Sequence, residues 1–316
     1  MRFAARLCLS VVPVLFAVSL ITFFAIEVLP GNTAEQLAGA NATPEQIERL
    51  ETALRLDRPA WARYGEWIGG ALVGDLGVSL ANRQPVVALI AERLPVTLTL
   101  ATLALLLALV AAVPLAVLSV RKPGSMVDRA ATMLSMTGLS LAGYILAPLL
   151  ILVFAVWLGI LPSIGYTPLS DDFVAGLRSL ILPAIALAIP LLGLYTRFLR
   201  GDLLEQIDAH DYVLAARARG IGPWRVLLRH ALPNSLFGLI TLVGLHLGAL
   251  LGGAVIVEQI FALPGVGQLL LQAVNLRDST VIQAVVLLLA TTTVLANLSV
   301  DALYAALDPR IRHGRA

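Results

Sequence analysis

The stretch LPVTLTLATLALLLALVAAVPLAVLSV, residues 94–120, decides the fold class, because it contains no Asp, Glu, Lys or Arg. About 20 consecutive apolar residues let a helix cross the ~30 Å hydrocarbon core of a bilayer. Five further stretches are equally free of charge and are long enough, or nearly so: 7–26, 130–170, 179–196, 230–257 and 279–300. The sequence therefore predicts an all-α integral membrane protein with six transmembrane helices.

The composition points the same way. The chain has 316 residues, of which 59% are hydrophobic and 13% are charged. Soluble domains carry roughly 25% charged residues, so this composition excludes a water-soluble globule. A net charge of +2 does not suggest a nucleic-acid partner. Cys8 is the single cysteine, which excludes an intramolecular disulfide and a Cys-rich metal site.

Two of the six stretches have an alternative interpretation. The first follows two arginines, as a signal peptide would, but its apolar run is too long for an h-region and no small-x-small cleavage site follows. We therefore expect a retained helix. The stretch 130–170 is long enough for two spans. Its final part, GILPSIGYTPLS at 159–170, is rich in Pro, Gly and Ser and predicts a loop, so one span is expected.

The distribution of basic residues predicts the orientation. With the N-terminus inside, most of the 22 basic residues fall on the cytoplasmic side: Arg2, Arg6, Arg121, Lys122, Arg129, Arg197, Arg200, Arg217, Arg219, Arg225, Arg229, Arg310, Arg312 and Arg315. The short outer loops hold Arg178 and Arg277. Short cytoplasmic loops of membrane proteins carry an excess of Lys and Arg, so both termini are predicted to be cytoplasmic.

The long outer segment, residues 30–95, is predicted to be folded. Thr43 and Gln46 form a capping box around Pro44, and Ile47, Leu50 and Leu54 then share one helical face. A second group, Trp61, Tyr64 and Trp67, has the spacing and the residue type of a membrane–water interface. The segment could be a small helical cap on the transmembrane helices or a docking surface for an external partner, and the two interpretations are compatible.

The sequence excludes several kinds of chemistry. The sole lysine, Lys122, lies in Arg-Lys-Pro, so the chain has no Gly-Lys-Ser/Thr loop for phosphates and cannot be a P-loop ATPase. There is no HExxH motif, and the four histidines have no metal-ligand spacing. Acidic residues are missing from the middle of every span, where an ion relay would place them; Glu27 and Asp301 lie near the ends. A transport protein of this kind needs another protein to supply the energy.

The segment RFLRGDLLEQIDAHDYVLAARARGIGPWRVLLRHALPN, residues 197–234, is the most informative loop. It predicts a helix capped by Asp211 and ending near Arg219, a break at Gly220–Pro223, and a second short helix with Pro223 near its first position. This pattern is also that of a helix-turn-helix, but a hairpin tethered between two spans cannot reach a DNA duplex. It is either a solvated basic loop or a rigid projection for a cytoplasmic partner.

The stretch 214–220, Leu-Ala-Ala-Arg-Ala-Arg-Gly, resembles the EAA loop of ATP-binding-cassette importer permeases. In that family a Pro follows the Gly after 13 residues, and Gly220 and Pro233 match this spacing. The chain departs from the pattern at Leu214, which replaces a Glu, and at His230, which replaces an aliphatic residue. Without that Glu, the helix would dock by shape, through the small Ala215 and Ala216 and the turn at Gly220.

Other segments narrow the resemblance to the B-type permease subunit of dipeptide and oligopeptide importers. Those segments are LPGN (29–32), ATPEQIERL (42–50), LDRPAWARY (56–64), GDLGVSL (74–80), ERLPVTLTLA (92–101), EQIFALPGVGQLLLQAV (258–274) and LDPRIR (307–312). They cover nearly the whole chain in family order. Family members usually carry Asp at the position of Asn32, so the function of that carboxylate is not expected here.

The resemblance implies a type I importer permease fold in the bacterial cytoplasmic membrane. It implies a second, C-type permease, two cytoplasmic ATPases that bind ATP and Mg, an extracytoplasmic binding protein and a peptide substrate. ATP-driven closure of the ATPases would move a coupling helix at about 211–220. No catalytic residue, cofactor or metal is expected in this chain. The residues expected to couple to the ATPases are Asp211, Ala215, Ala216, Arg217, Arg219 and Gly220.

The expected organisation is an N-terminal transmembrane helix (1–29), an extracytoplasmic helical segment (30–95), a five-helix core (96–306) that includes the loop 197–234, and a cytoplasmic tail (307–316). Within the core, Gly244, Gly248 and Gly252 form a double GxxxG stripe for close helix packing, either inside the chain or against a second permease. His246 points away from this stripe. It is either a buried His bonded to a neighbouring helix or a group that lines the substrate pathway.

Three alternative functions stay open at this point. An importer of the same architecture could carry nickel, haem, glutathione or another solute, because sequence does not identify the side chains of the pathway. An ion-coupled secondary transporter is disfavoured by the missing mid-span carboxylates. A membrane enzyme would need a nucleophile–base pair or a metal site, which the sequence does not contain. Pro148, Pro183 and Pro190 predict kinks that suit either gating or plain packing.

Overall fold

A computed structural model describes residues 2–28, 34, 38, 42–53, 56–141 and 143–307 of the chain. In chain order, the first six helices named here are α1 (Arg2–Val28), α2 (Pro44–Ala53), α3 (Ala60–Leu72), α4 (Val86–Arg121), α5 (Met126–Ser140) and α6 (Gly143–Leu150). The helix α6 continues as a π-helical segment, Ile151–Trp157. After it come α7 (Phe173–Ala209), α8 (Asp211–Ala218), α9 (Pro223–Val226), the π-helical segment Leu227–Ala231, α10 (Leu232–Phe261), α11 (Val266–Asn275) and α12 (Ser279–Leu307).

The six predicted spans correspond to five long apolar helices and one bent pair. The long helices are α1, α4, α7, the continuous helix Pro223–Phe261 and α12. The third span consists of α5 and of α6 with its π-helical segment, which are bent by 104° to one another. The six-span prediction is confirmed when the bent pair is counted as one span. Residues 159–170 form a loop, as predicted.

The lengths of the charge-free stretches underestimate the lengths of the helices. The stretch 179–196 predicts a span, whereas α7 has 37 residues and continues to Ala209 through several charged positions. The length of an apolar stretch indicates only the part of a helix that lies in the hydrocarbon core. The helix can continue into water beyond it, because its backbone hydrogen bonds stay satisfied within the helix. The extension of α7 matters because it occupies residues 197–209, the first part of the loop that the sequence singled out.

The chain divides into two compact units, residues 1–97 with 264–295 and residues 98–263 with 296–316. In the first unit, α3 packs on α1 through Tyr64. Its ring lies edge-on to Phe23, with the ring centroids 5.3 Å apart, and its hydroxyl is 2.9 Å from Oγ of Ser19. Arg63 forms an ion pair with Glu27 beside this cluster. The contact supports the helical-cap interpretation for α3, whose Trp61 is exposed.

The capping box predicted at the start of α2 is confirmed. The amide of Thr43 donates to Oε1 of Gln46 over 3.0 Å, and the amide of Gln46 donates to Oγ1 of Thr43 over 3.4 Å. Ile47 and Leu50 are half-buried. Leu54 and Asn32 lie outside the described residues, as do the segment 29–32 and the tail 308–316, so the expectations on them stay predictions.

A second core of the first unit joins α4, α11 and α12. Its buried members are Val86, Leu89, Ile90, Val266, Leu269, Ala273, Val281, Ala284 and Val285. Asp278, just before α12, is 2% exposed and holds the loop that precedes α4. Ser79 donates its hydroxyl to Oδ2 of Asp278 over 2.5 Å, and the amide of Ala81 donates to the same oxygen over 3.2 Å. One carboxylate thus ties together segments that are almost 200 residues apart.

In the second unit, α5 and α7 cross with their backbones in close approach. A Cβ added at Gly138 would lie 2.8 Å from the carbonyl oxygen of Ile189, and one added at Gly193 would lie 2.6 Å from that of Ser135. Both distances are too short for a side chain, so these two glycines are required by the crossing. α10 also packs on α7, which therefore contacts α5, α6 and α10 within this unit.

Candidate functional site

Only the middle of the predicted loop 197–234 is a hairpin. Residues 197–209 belong to α7 and residues 232–234 to α10, and residues 211–226 form a short hairpin directly after α7. A single residue, His210, separates α7 from α8, and it occupies the N-cap of α8 without a side-chain capping bond. The expectation that Asp211 caps this helix is wrong, because Asp211 is itself the first helical residue. There its carboxylate still favours the helix, since the first turn has a partial positive charge.

The turn of the hairpin is built on Gly220. Its φ of 77° lies in the left-handed region that favours glycine. The amides of Gly220 and Ile221 donate back to the carbonyl oxygens of Arg217 and Ala216 over 2.9 and 3.2 Å, which closes the end of α8. The predicted break is therefore confirmed, and its cause is a backbone conformation that other residues adopt only with strain.

The hairpin has a small apolar core of its own. Val213 and Ala216 on α8 are buried against Val226 on α9, and Tyr212 and Ile221 pack around them. The hydroxyl of Tyr212 donates to Oε1 of Gln206 over 2.6 Å. Its ring also stacks on His210, with ring centroids 5.6 Å apart. These contacts join the hairpin to the end of α7, as expected of a rigid projection rather than a solvated loop.

Burial decides which residues of the hairpin can reach a partner. Ala216 is only 1% exposed and packs inside the hairpin, so its expected role in coupling to an ATPase stays a prediction. Leu214, at the position of the family's Glu, is 55% exposed, and Trp224 is 44% exposed. The outward surface also contains Asp211, Ala215, Arg217, Arg219 and Gly220.

The second arm of the hairpin runs straight into a transmembrane helix. Pro223 stands at the first position of α9, as predicted. The expected second short helix is α9, and it does not end there: it continues through the π-helical segment Leu227–Ala231 into α10, so that one helix runs from Pro223 to Phe261. The guanidinium of Arg121, at the end of α4, lies 5.4 Å from the centroid of the Trp224 ring. The hairpin thus connects directly to α7 on one side and to α10 on the other.

A partly buried ion pair, which the sequence did not predict, joins Asp128 of α5 to Arg200, which lies on α7 nine residues before its end. Nε and Nη2 of Arg200 donate to Oδ1 and Oδ2 of Asp128 over 2.6 and 3.0 Å. Ser119, near the end of α4, donates its hydroxyl to Oδ1 over 2.5 Å, and the amide of Gly124 donates to Oδ2 over 2.8 Å. Asp128 is 5% exposed. The group joins the α4–α5 turn to α7.

A cavity of about 380 Å³ opens beside α7 in the same unit. Its walls come from the bent pair α5 and α6, from α7 and from α10, and most of the lining side chains are apolar. His246 and Tyr144 are the lining residues with polar side chains. Nδ1 of His246 lies 2.8 Å from the carbonyl oxygen of Leu242, on its own helix. The expectation of a bond to a neighbouring helix is therefore not met in the described structure.

Two family models together match almost the entire chain. The model described as "Binding-protein-dependent transport system inner membrane component" matches residues 104–313, and the model for the N-terminal part of such components matches residues 1–101. The chain belongs to this family. It is the membrane-embedded translocation subunit, or permease, of an ABC importer, and it is a multi-pass protein of the bacterial inner membrane.

Proteins similar to the permease along its whole length include transport subunits with different named substrates. A Brucella abortus (strain 2308) protein named for a peptide transport system permease is 40% identical, covering 96% of each chain. The dipeptide transport system permease DppB of Alkalihalophilus pseudofirmus is 34% identical over 99% of the permease and 100% of DppB. The glutathione transport system permease GsiC of Escherichia coli K12 is also 34% identical, covering 99% of each.

A solved structure supports the fold. The permease resembles a chain of the MetNI methionine ABC transporter, in an inward-facing conformation, with a TM-score of 0.57 over 71% of the permease and 98% of that chain. Sequence identity is 22%, so the match concerns the fold alone. Family membership excludes the ion-coupled transporter and the membrane enzyme, since an ABC importer permease takes its energy from ATPases and its substrate from a binding protein.

The three glycines of the α10 stripe differ in how closely they are packed within the permease. Gly244 is buried against Val300 of α12, where an added Cβ would collide with the Val side chain. Gly248 is half-buried, whereas Gly252 is exposed and nothing lies within 4 Å of an added Cβ. One end of the stripe therefore packs inside the chain. The use of the other end by a second permease stays a prediction.

The residues that sequence reasoning missed are Ser119, Asp128 and Arg200. A signal existed, because each lies at the edge of a charge-free stretch or just beyond it. Ser125 also caps α5, and its Oγ accepts from the amide of Asp128 over 3.3 Å. What the sequence does not show is that Asp128 meets an arginine 72 positions away.

Proposed function

We propose that the permease translocates short peptides and works as a heterodimer with a second, similar permease. The names of its relatives support the peptide part of this proposal, because they specify a peptide, a dipeptide and the tripeptide glutathione. The extracytoplasmic binding protein would deliver the peptide, and two ATPases would bind ATP and Mg. No cofactor or metal is assigned to the permease itself.

The hairpin 211–226 is the part of the permease that we assign to the ATPases. The observation that supports this assignment is mechanical: the hairpin has its own core and continues into both α7 and α10. A displacement of the hairpin would therefore reach two helices that line the cavity beside α7. In this scheme Asp211, Ala215, Arg217, Arg219 and Gly220 lie on the contact surface, and Ala216 supports it from within.

Leu214 changes the chemistry of that contact. A Glu at this position could pair with a basic group of the ATPase, whereas a leucine that is more than half exposed offers only an apolar side chain. The arginines around it supply the charges of the surface. We expect the matching ATPase surface to combine an apolar hollow with acidic residues, since opposite charges steer association and fix the orientation of the two surfaces.

Affinity purification of the tagged permease tests this assignment. The wild-type chain should bring down a second permease and both ATPases, and Gly220→Asp should lose the ATPases, because an Asp at positive φ strains the hairpin turn. Gly159→Asp is the matched control: Gly159 also has a positive φ, of 63°, and has no neighbour within 4 Å of an added Cβ. Retention of the ATPases by Gly220→Asp would contradict the assignment.

The peptide substrate is tested separately, on the assembled importer in liposomes. ATP-dependent uptake from an equimolar mixture of di- to pentapeptides, measured by mass spectrometry, would support the proposal. Uptake of nickel, haem or another non-peptide solute, with no peptide uptake, would contradict it and favour an importer of the same architecture with a different cargo.

A further inference from the structure

The turn between α4 and α5 has a fixed shape. Ser125 occupies the N-cap of α5, where its Oγ accepts from the amide of Asp128 over 3.3 Å, and its own amide donates to the carbonyl of Lys122 over 3.1 Å. The amide of Gly124, whose φ is 78°, donates to Oδ2 of Asp128 over 2.8 Å. Because these bonds close the turn on itself, the end of α4 and the start of α5 form one rigid corner.

This corner contacts the helices on both sides of the hairpin 211–226. On the first side, the guanidinium of Arg200 on α7 donates to both oxygens of Asp128 and, through Nε, to Oγ of Ser119 over 3.0 Å. On the second side, the guanidinium of Arg121 lies on the ring of Trp224 in α9. A displacement of the hairpin can therefore reach α4 and α5 through side chains, in addition to α7 and α10 through the backbone.

The two contacts differ in strength. Asp128 is buried, and the paired hydrogen bonds from the guanidinium fix the direction of the contact as well as its charge. Trp224 is exposed, and a cation over an exposed ring is bound only weakly. The helix that follows Trp224 also contains the π-helical segment Leu227–Ala231, an irregularity that is frequent at functional sites. The ion pair is therefore the stiffer of the two connections.

The ion pair also gives α5 and α7 a second point of contact. The first is the crossing at Gly138 and Gly193, where the two backbones approach closely. At a rise of about 1.5 Å per residue, Asp128 lies about 15 Å along α5 from Gly138, and Arg200 lies about 10 Å along α7 from Gly193. Two helices that touch at one point can turn against each other about it. A second contact this far from the crossing fixes the angle between them.

We propose that the Asp128–Arg200 ion pair is a coupling joint, which makes α4 and α5 move with α7 when the ATPases displace the hairpin. Both side chains are positioning residues, because they act through the helices that they join. Without the joint, α7 would turn against α5 at the glycine crossing, and the displacement would not be passed on. The inference rests on the assignment of the hairpin to the ATPases and adds a second route from the hairpin into the transmembrane helices.

The number of peptides imported per ATP tests the joint in the assembled importer. Uptake of the peptide mixture and ATP hydrolysis stimulated by the binding protein are measured in the same liposomes. Arg200→Gln removes the charge, whereas Arg200→Lys keeps the charge but gives up the paired hydrogen bonds. Arg197→Gln is the matched control, since Arg197 is exposed on the same helix and forms no ion pair within the part of the chain that the structure describes.

The expected result is a loss of coupling that follows the ion pair. Arg200→Gln should lower the number of peptides imported per ATP about tenfold and Arg200→Lys about threefold, whereas Arg197→Gln should stay within about twofold of wild type. Stimulated ATP hydrolysis should persist in all three variants, because the joint lies outside the surface that we assign to the ATPases. A role in folding or assembly alone would instead lower uptake and hydrolysis together.

A covalent replacement of the joint is the second test. In a chain that carries Cys8→Ser, the variant Asp128→Cys/Arg200→Cys should hydrolyse ATP but import few peptides. Closing the two thiols with a short bismaleimide should bring the number of peptides per ATP back to within about threefold of wild type, because the angle between α5 and α7 is fixed again.

Three outcomes would overturn the joint. The first is a wild-type number of peptides per ATP in Arg200→Gln, and the second is a proportional loss of uptake and hydrolysis in that variant. The third is a cross-linked chain that hydrolyses ATP without import, which would mean that the two side chains must separate during transport. The unmodified importer decides the proposed function independently, because its own failure to bind ATPases or to import any peptide would contradict that function before any variant is compared.

Discussion

Two buried aspartates, one in each unit, hold a neighbouring loop by different means. Asp128 accepts from the guanidinium of Arg200, from the hydroxyl of Ser119 and from the amide of Gly124. Asp278 accepts from the hydroxyl of Ser79 and from the amides of Ala81 and Val281, which are all uncharged. Both lie in the first turn of a helix or just before it, where negative charge is favoured.

The difference shows how far the stability of each contact depends on charge and how far it depends on the placement of hydrogen-bond donors. Asp128 balances a cation, so its removal leaves Arg200 without its counter-ion. Asp278 mainly orients donors, so an uncharged residue of the same shape can take over part of its role. The contrast suits the two locations. α7 carries Arg200 and leads into the hairpin that we assign to the ATPases, whereas Asp278, at the start of α12, fixes the loop that precedes α4.

The largest effect is expected from breaking the charged contact. Asp128→Ala should lower the free energy of unfolding by about 3 kcal/mol, because it leaves a partly buried guanidinium without its counter-ion and strands the hydroxyl of Ser119 and the amide of Gly124. Unfolding in detergent, followed by tryptophan fluorescence, measures this loss. The double variant Asp128→Ala/Arg200→Ala should lose less than the two single variants added together. Additive losses would mean that the two side chains do not interact.

A smaller loss is expected from the uncharged contact. Asp278→Ala should lower the free energy of unfolding by about 2 kcal/mol, since it strands the hydroxyl of Ser79 and two amides. Ser79→Ala removes only one of these donors and should cost about 1 kcal/mol in the same assay. A loss for Asp278→Ala that exceeds that for Asp128→Ala would reverse the comparison.

Replacing each aspartate by asparagine is expected to have the smallest effect, and it separates the role of charge from that of hydrogen bonding at the two sites. Asp278→Asn should cost about 1 kcal/mol, because Asn keeps one acceptor oxygen and the N-cap but replaces the second acceptor by an NH2 group. Asp128→Asn should cost about 2 kcal/mol, because the positive charge of Arg200 stays unbalanced. Equal losses in the two Asn variants would show that charge is irrelevant at both sites.

Local rules account for the features that the sequence predicted. The spans follow from the charge-free stretches, the start of α2 from Thr43 and Gln46, and the hairpin turn from Gly220 and Pro223. Each of these depends on residues within a few positions of one another, so the signal is present in the sequence itself. The orientation predicted from the arginines is of the same kind and stays a prediction.

Contacts between distant residues account for what was missed. Arg200 is 72 positions from Asp128, and Ser79 is 199 positions from Asp278, so nothing local marks either pair. The burial of Ala216 is equally non-local, since it depends on Val226 across the turn. The continuity of α9 with α10 was missed because Pro233, which usually interrupts a helix, here follows the π-helical segment at the second position of α10.

The central claim is that the permease imports peptides with energy that enters from ATPases through the hairpin 211–226. Its most direct test is peptide uptake by liposomes that contain either the assembled importer or the permease alone, each assayed with ATP and with an imposed ion gradient. We predict uptake only by the assembled importer and only with ATP, and its loss in Gly220→Asp. Uptake by the permease alone, driven by the ion gradient, would contradict the account.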